Sequence, residues 1–365
     1  PRSTPSNSSA ASDVYKRQAL EPFAAADILM PAGKRTLSQW VKFANSLRLR
    51  LAIRVSMSAP DLARAEVAKA MDATAGGVLE SADETVAVST ESGYKNPLGT
   101  VNEGWGEVFM GATMESVLVG YNDPRLIKYY SKAEGGDIKD EKGNLIIAER
   151  NKIAGTYKGV PQGTGVTVKD ENRYRLHSKS TITKQTDAIL MTAAEVWFLR
   201  AEAALRGFTS ENVKDCYEKG ITVSCQQWGV NVGDYLTSDA TPSDYVDAFE
   251  AKYDVKALIK VTPKWDGGAS PEEQLERILT QKWIACYPEG YEAWTEQRRT
   301  GYPQLFKVFV NNSGGAIDTN IRIRRLPYPS DIQKNNPTQY SALKKALGGE
   351  DNGGTRLWWD TGRNF

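Results

Sequence analysis

The chain contains one histidine, His177, in the segment RYRLHSKS. Imidazole is the side chain best suited to moving a proton near neutral pH, and Ser/His/Asp or Cys/His relays need one beside their nucleophile. His177 has no HxxxH or HExxH partner and sits in a polar, alternating stretch, so it reads as a surface or strand histidine. The cysteines, Cys216, Cys225 and Cys286, have no other imidazole to activate them. They are too few for a disulfide framework and form no short-spaced metal pair, which makes buried free thiols the expectation. Phosphate-loop chemistry has no support: no GxxxxGKS occurs, and Gly104, Gly106 and Gly111 are scattered rather than set between a strand and a helix. No cofactor is expected. A carboxylate pair remains possible, because a glycosidase fixes its two acids by the fold and not by sequence spacing. Glu103 and Glu107 in VNEGWGEVF could share a helix face, an arrangement commoner on solvated helices than in active sites.

Recognition without chemistry asks for different residues. A sugar presents C–H patches to flat aromatic faces and hydroxyls to amides, carboxylates and guanidiniums. Trp105, Tyr157, Tyr174, Trp228 and Trp265 lie in or beside turn-rich segments, with Lys158, Asn172 and Asp266 as polar neighbours. The candidate ligand-binding set is therefore Trp105, Tyr157, Lys158, Tyr174, Trp228 and Trp265, although each could equally cover the scaffold. For a peptide ligand, Lys158 and Arg175 would matter more than the aromatics. Trp197, Trp283, Trp294, Trp358 and Trp359 fall in helices or motif cores and are assigned to packing.

The elements that must hold such residues are helical. Residues 186–228 carry Ala194, Trp197, Phe198, Ala201 and Leu205 at helical spacing, then Gly207 as a stop, Ser210 as a cap, and Val213, Tyr217 and Ile221 as a second stripe. This is an antiparallel hairpin. A second is expected near 38–75, where Trp40, Phe43, Leu47 and Leu51 alternate with Arg48, Arg50 and Arg54, read as a solvated or ion-paired face. A third is expected near 271–300, opened by Pro271 at a first helical turn. Residues 78–185 and 229–270 are polar and turn-rich, an irregular ligand-binding portion apart from a helix expected over 244–256. The remainder reads as a mostly non-helical tail that packs back through Trp358 and Trp359. The fold class is mainly α, helical hairpins with large irregular loop insertions.

Composition narrows the partners. Over 365 residues, 46 Lys and Arg stand against 45 Asp and Glu, so no bulk field draws the chain to nucleic acid or an anionic membrane surface. No apolar run reaches the roughly 18 residues that cross a bilayer. Residues 1–18, rich in Ser and Ala, read as a non-native or disordered leader, leaving 19–365 as the folded domain.

Four long motifs, MTAAEVWFLRAEAALRG, ERILTQKWIACYPEGYEAWTEQRRTGYPQLF, RRLPYPSDIQKNNPTQY and TRLWWDTGRNF, together with WVKFANSLRLRLAIRVS, YNDPRL and YKGVP, resemble the SusD/RagB-type outer-membrane lipoproteins of Bacteroidetes. The resemblance runs from about residue 36 to the end. It implies a tetratricopeptide-like scaffold and non-catalytic capture of an oligosaccharide, or another oligomeric nutrient such as a peptide, at the cell surface. The implied partner is a SusC-like TonB-dependent transporter. Rival readings are a hydrolase with a hidden carboxylate pair and a scaffold for protein partners alone. The family normally begins with a lipoprotein signal and an acylated cysteine, so the membrane anchor is expected to be absent from this chain. The matched motifs are mainly structural and transfer no ligand residue.

Overall fold

The computed structural model describes residues 24–165 and 172–365. The leader expected over 1–18 lies outside the described residues. The first hairpin pairs α1 (Leu37–Arg54) with α2 (Pro60–Ala70), the second α4 (Ala193–Leu205) with α5 (Val213–Gln227), and the third α6 (Pro271–Ala285) with α7 (Gly290–Thr300). Between the first two lies α3 (Ala112–Gly120), longer than the brief helix that ESVLVG suggests.

Local chemistry sets these boundaries. Thr36 accepts from the Gln39 N–H, Thr192 from Glu195, and Ser270 and Glu273 form a reciprocal capping box with Pro271 in the first turn. Asn212, not Ser210, caps α5, accepting from the Asp215 N–H. Gly207 takes a left-handed φ of 67°, which lets the chain reverse. Within α5, Gly220 faces the Phe198 ring so closely that an added Cβ would sit 2.8 Å from it, which is how α4 and α5 approach.

The hairpins share one core, in which Leu49, Ile53, Val196, Phe198, Tyr217, Ile221 and Ile278 are fully buried. Helix α4 is its hub, packing on α1, α5 and α6. The inner faces are also tied by charge. Arg50 meets Glu195, Arg54 meets Glu292, Lys282 meets Glu292 and Glu296, and Arg299 meets Glu202 and Glu296. Of the arginine face expected to be solvated or ion-paired, Arg48 pairs with Glu66 near the surface while Arg50 and Arg54 turn inward.

Residues 188–191, ahead of α4, form an edge strand (Ala188–Met191) paired antiparallel to Val86–Val88, with Val86 opposite Met191. The KDEKG turn joins a second small ribbon, Ile138–Lys139 with Leu145–Ile147, where the Asp140 carboxylate accepts from the Lys142 and Asn144 N–H groups.

Two expectations are corrected. Residues 244–256 are not one α-helix; only Ala251–Tyr253 wind into a short 3-10 turn, and Tyr245 bridges Val255. Aspartates satisfy that backbone locally, Asp247 accepting from the Phe249 and Glu250 N–H groups and Asp244 from Ala257, which competes with helix formation. The tail is mostly non-helical, as expected, apart from Ser330–Asn335 and α8 (Pro337–Leu347), the latter capped by Asn336 and stopped by Gly348. Its packing is the second correction, because its two tryptophans part company. Trp359 lies against Arg54 and Arg298, whereas Trp358 is 68% exposed.

Candidate ligand-binding site

A cavity of about 730 Å³ opens where α3, α6 and α7 meet the loop of residues 305–323. Its aromatic wall is Tyr130, Trp283, Trp294 and Phe306, and its polar groups include Gln162, Gln297, Asn312, Asp318 and Arg322. Hydrogen bonds fix the loop to the helices. Thr113 Oγ1 accepts from the Phe306 N–H at 3.0 Å, the Trp294 indole donates to the Ile323 carbonyl at 3.1 Å, and the Phe309 N–H donates to the Gln162 carbonyl at 3.0 Å. The loop also ties itself, Asn311 Nδ2 donating to the Ile317 carbonyl and to Thr319 Oγ1. The wall is thus formed before any ligand arrives, which lowers the ordering entropy lost on binding.

Its chemistry is that of recognition. Aromatic rings and amides both line it, with one guanidinium and one carboxylate among the described residues. Among the described residues Asp318 is the sole acid in the lining, so those residues do not assemble there the carboxylate pair that glycoside hydrolysis requires. Among the described residues, no group of three or more His, Cys, Asp or Glu is placed to hold a metal ion, and no helix is long and apolar enough to cross a membrane.

The residues singled out by sequence do not converge on this cavity. Trp105 is 60% exposed at the end of a π-helical turn, Val101–Trp105, whose Asn102 amide donates to the Ser180 and Ile182 carbonyls. Such turns recur at functional sites. Trp228 is half-buried, 4.8 Å from Tyr129, and lines a separate cavity of about 460 Å³ with Asp187 and Gln227. Tyr157 and Trp265 are half-buried against the main core, Trp265 beside Tyr217. Lys158 and Tyr174, also in the candidate set, are buried. Lys158 Nζ lies 2.6 Å from Glu115 Oε1 and over the Tyr245 ring, and burial holds the Glu115 carboxyl above the usual carboxylate range. Tyr174 stands edge-on to His177.

His177 is corrected from a surface or strand position to the interior. It is 2% exposed between Tyr174 and Phe249, and neither ring nitrogen has a hydrogen-bond partner. Burial and the Lys158 charge depress its pKa to about 3, so the ring is neutral and no relay surrounds it. Glu103 accepts from the Lys184 N–H, and Gly106 ends the turn before Glu107, so the two acids share no helix face. All three cysteines are buried free thiols, as expected. Missed by sequence reasoning were Tyr130, Gln162, Phe306 and Arg322, and Trp283 and Trp294 were assigned to packing alone. The signal available was the amide-rich, turn-rich run NNSGGAIDT between the third hairpin and the tail.

Residues 14–360 match the SusD-like family, described as Susd and RagB outer membrane lipoprotein, and the chain belongs to it. A SusD homologue from Bacteroides vulgatus ATCC 8482 is 51% identical over 92% of this chain with a TM-score of 0.83. This chain covers 65% of that homologue's length, a little under two thirds. A chitin-binding SusD homologue from Flavobacterium johnsoniae is 35% identical, covering 96% of this chain and 70% of that one, also at a TM-score of 0.83. A SusD homologue from Bacteroides thetaiotaomicron VPI-5482 is 32% identical, covering 97% and 75%, at 0.79. No curated protein matches the chain. The helical, tetratricopeptide-like hairpins described above are the fold of these homologues.

Proposed function

We propose that the chain is a non-catalytic, cell-surface binding protein that captures an oligosaccharide and delivers it to a SusC-like TonB-dependent transporter, anchored to the outer membrane by the lipid of its family. The observation that carries this reading is the preformed cavity of about 730 Å³, walled by Trp283, Trp294, Tyr130 and Phe306 and edged by amides. Its size is within the range of small-ligand sites, and its aromatic-plus-amide lining suits a sugar chain. The chitin-binding homologue supports a glycan over other cargo. The exposed Trp105, outside the cavity, would serve as a further contact for a long chain.

Calorimetric titration with chito-oligosaccharides, neutral glucan oligomers and peptides tests the proposal. Saturable binding of a glycan, with no reducing ends released on prolonged incubation, is the expected result. Bond scission, or retention of no oligomer at all, would reject it. A peptide is the second reading, favoured by the aliphatic part of the lining, Val308, Val310 and Ile317; binding of peptides alone would select it.

A further inference from the structure

A smaller cavity, about 300 Å³, shares Arg322, Gln297 and Leu305 with the large one. Five arginines line it, Arg298, Arg299, Arg322, Arg324 and Arg356, and among the described residues no carboxylate does. Arg299 is neutralised by Glu202 and Glu296. Arg324 and Arg356 share a single acid, Asp360. Arg298 lies against Trp294 and Trp359 and donates to the Arg324 carbonyl and the Thr295 hydroxyl, while its Nε is buried without a partner. Arg322 donates to Gln162 Oε1 at 2.8 Å and to the Phe306 carbonyl. Among the described residues neither Arg298 nor Arg322 forms an ion pair with a carboxylate, and Asp360 is the one acid that Arg324 and Arg356 share, so the four guanidiniums of this lining outnumber their ion-paired acids.

Buried cations are normally compensated by anions. Here the compensation is incomplete, and its effect shows: Arg298 is pushed down to about 10 by burial and by Arg54 and Arg324, and burial also lowers Arg322. A guanidinium sheds its proton only far above neutrality, so an anion is the available relief. Arg322 is also held at a φ of 62°, a left-handed conformation rare for a residue with a Cβ. Strain of this kind clusters at ligand clamps.

We propose that the arginine-lined cavity binds an oxyanion, a carboxylate or sulfate group, and that, resting on the glycan reading above, it selects oligomers carrying such a group, with Arg322 bridging the two cavities. The geometry suits planar guanidinium forks, which recognise oxyanions through paired N–H donors.

The test titrates the chain with sodium sulfate against sodium chloride at equal ionic strength, following heat and melting temperature, and then with glucuronate against glucose. Saturable binding of sulfate or glucuronate is expected, and which of them binds tells the two groups apart. Arg322→Gln is expected to weaken it by about tenfold, the scale of one charge-assisted hydrogen-bond set. Arg356→Gln, at an exposed position, is expected to weaken it less and guards against misfolding of the first variant, while Lys344→Gln on α8 leaves it unchanged. Sulfate and glucuronate acting no differently from chloride and glucose, or both arginine variants responding like the parent, would overturn the proposal. Binding of neutral oligomers with no anion effect would sink this inference and leave the glycan reading standing. Anion binding with no oligomer bound at any charge would sink the glycan reading and the oligomer selectivity that rests on it, leaving only the oxyanion site.

Discussion

Arg50 on α1 grips Glu195 at the start of α4 with two parallel hydrogen bonds, Nε to Oε1 at 2.6 Å and Nη2 to Oε2 at 2.5 Å. The bidentate geometry joins the first hairpin to the second, and Glu195 is almost wholly buried. Among the described residues, removing Arg50 leaves buried Glu195 with only Lys282, 4.0 Å away, as a counter-charge. Arg50→Met is expected to destabilise the fold by about 3 kcal/mol in urea unfolding, with Glu195→Leu on the same background recovering much of that loss. Additive losses in the double variant would show that the pair contributes nothing as a pair.

The cavity wall makes a sharper functional prediction. Trp283→Leu and Asn312→Ala are each expected to weaken glycan binding, the tryptophan change by about tenfold, or 1.4 kcal/mol. Trp105→Ala is expected to change affinity for a short oligomer by less than about threefold, since it removes no wall of the cavity. The opposite ranking, measured by titration, would move the ligand onto the exposed π-helical turn.

His177 gives a pH signature. Its pKa falls from 6.5 to about 3 on folding, so below pH 6.5 the unfolded chain takes up a proton that the folded chain refuses. Stability therefore drops as pH falls from 6.5 and levels off near 3. Relative to His177→Leu, the parent is expected to lose about 2 kcal/mol between pH 7.5 and pH 5. Glu115 and Asp247, whose carboxyls are raised by burial, change in the opposite sense but are common to both proteins. Parallel stability curves for the two proteins would place a polar partner on the ring.

Gly120 closes α3 against the backbone of residues 242–243. A Cβ there would stand 2.2 Å from the Ser243 nitrogen and 2.5 Å from the Pro242 Cα. Gly120→Ala is expected to lose about 1–3 kcal/mol by overpacking, despite the better helix propensity of alanine. The urea midpoint should fall with an unchanged slope. An unaltered midpoint would mean that the crossing loop yields freely.

The hairpins were legible because their signals are local. Apolar spacing, the Ser270 and Pro271 start and the Gly207 stop all act within a few residues, and the structure places helices there. The site was not legible, because it is assembled from segments far apart in sequence: Tyr130, Gln162, Trp283, Trp294, Phe306 and Arg322. Lys158 shows the difficulty from the other side. Its polar loop suggested a ligand contact, but its ammonium is buried against Glu115, 43 residues earlier. Residues 244–256 misled for a local reason, since the aspartates that would solubilise a helix instead bond the backbone of a turn.

The interlocked charges of α1, α4, α6 and α7 satisfy one another without help from the segment at 305–323. Register among the rods is keyed by ionic teeth, so the rim above them is free to drift in sequence. Substitutions in that rim can then accumulate while the chassis stays as it is.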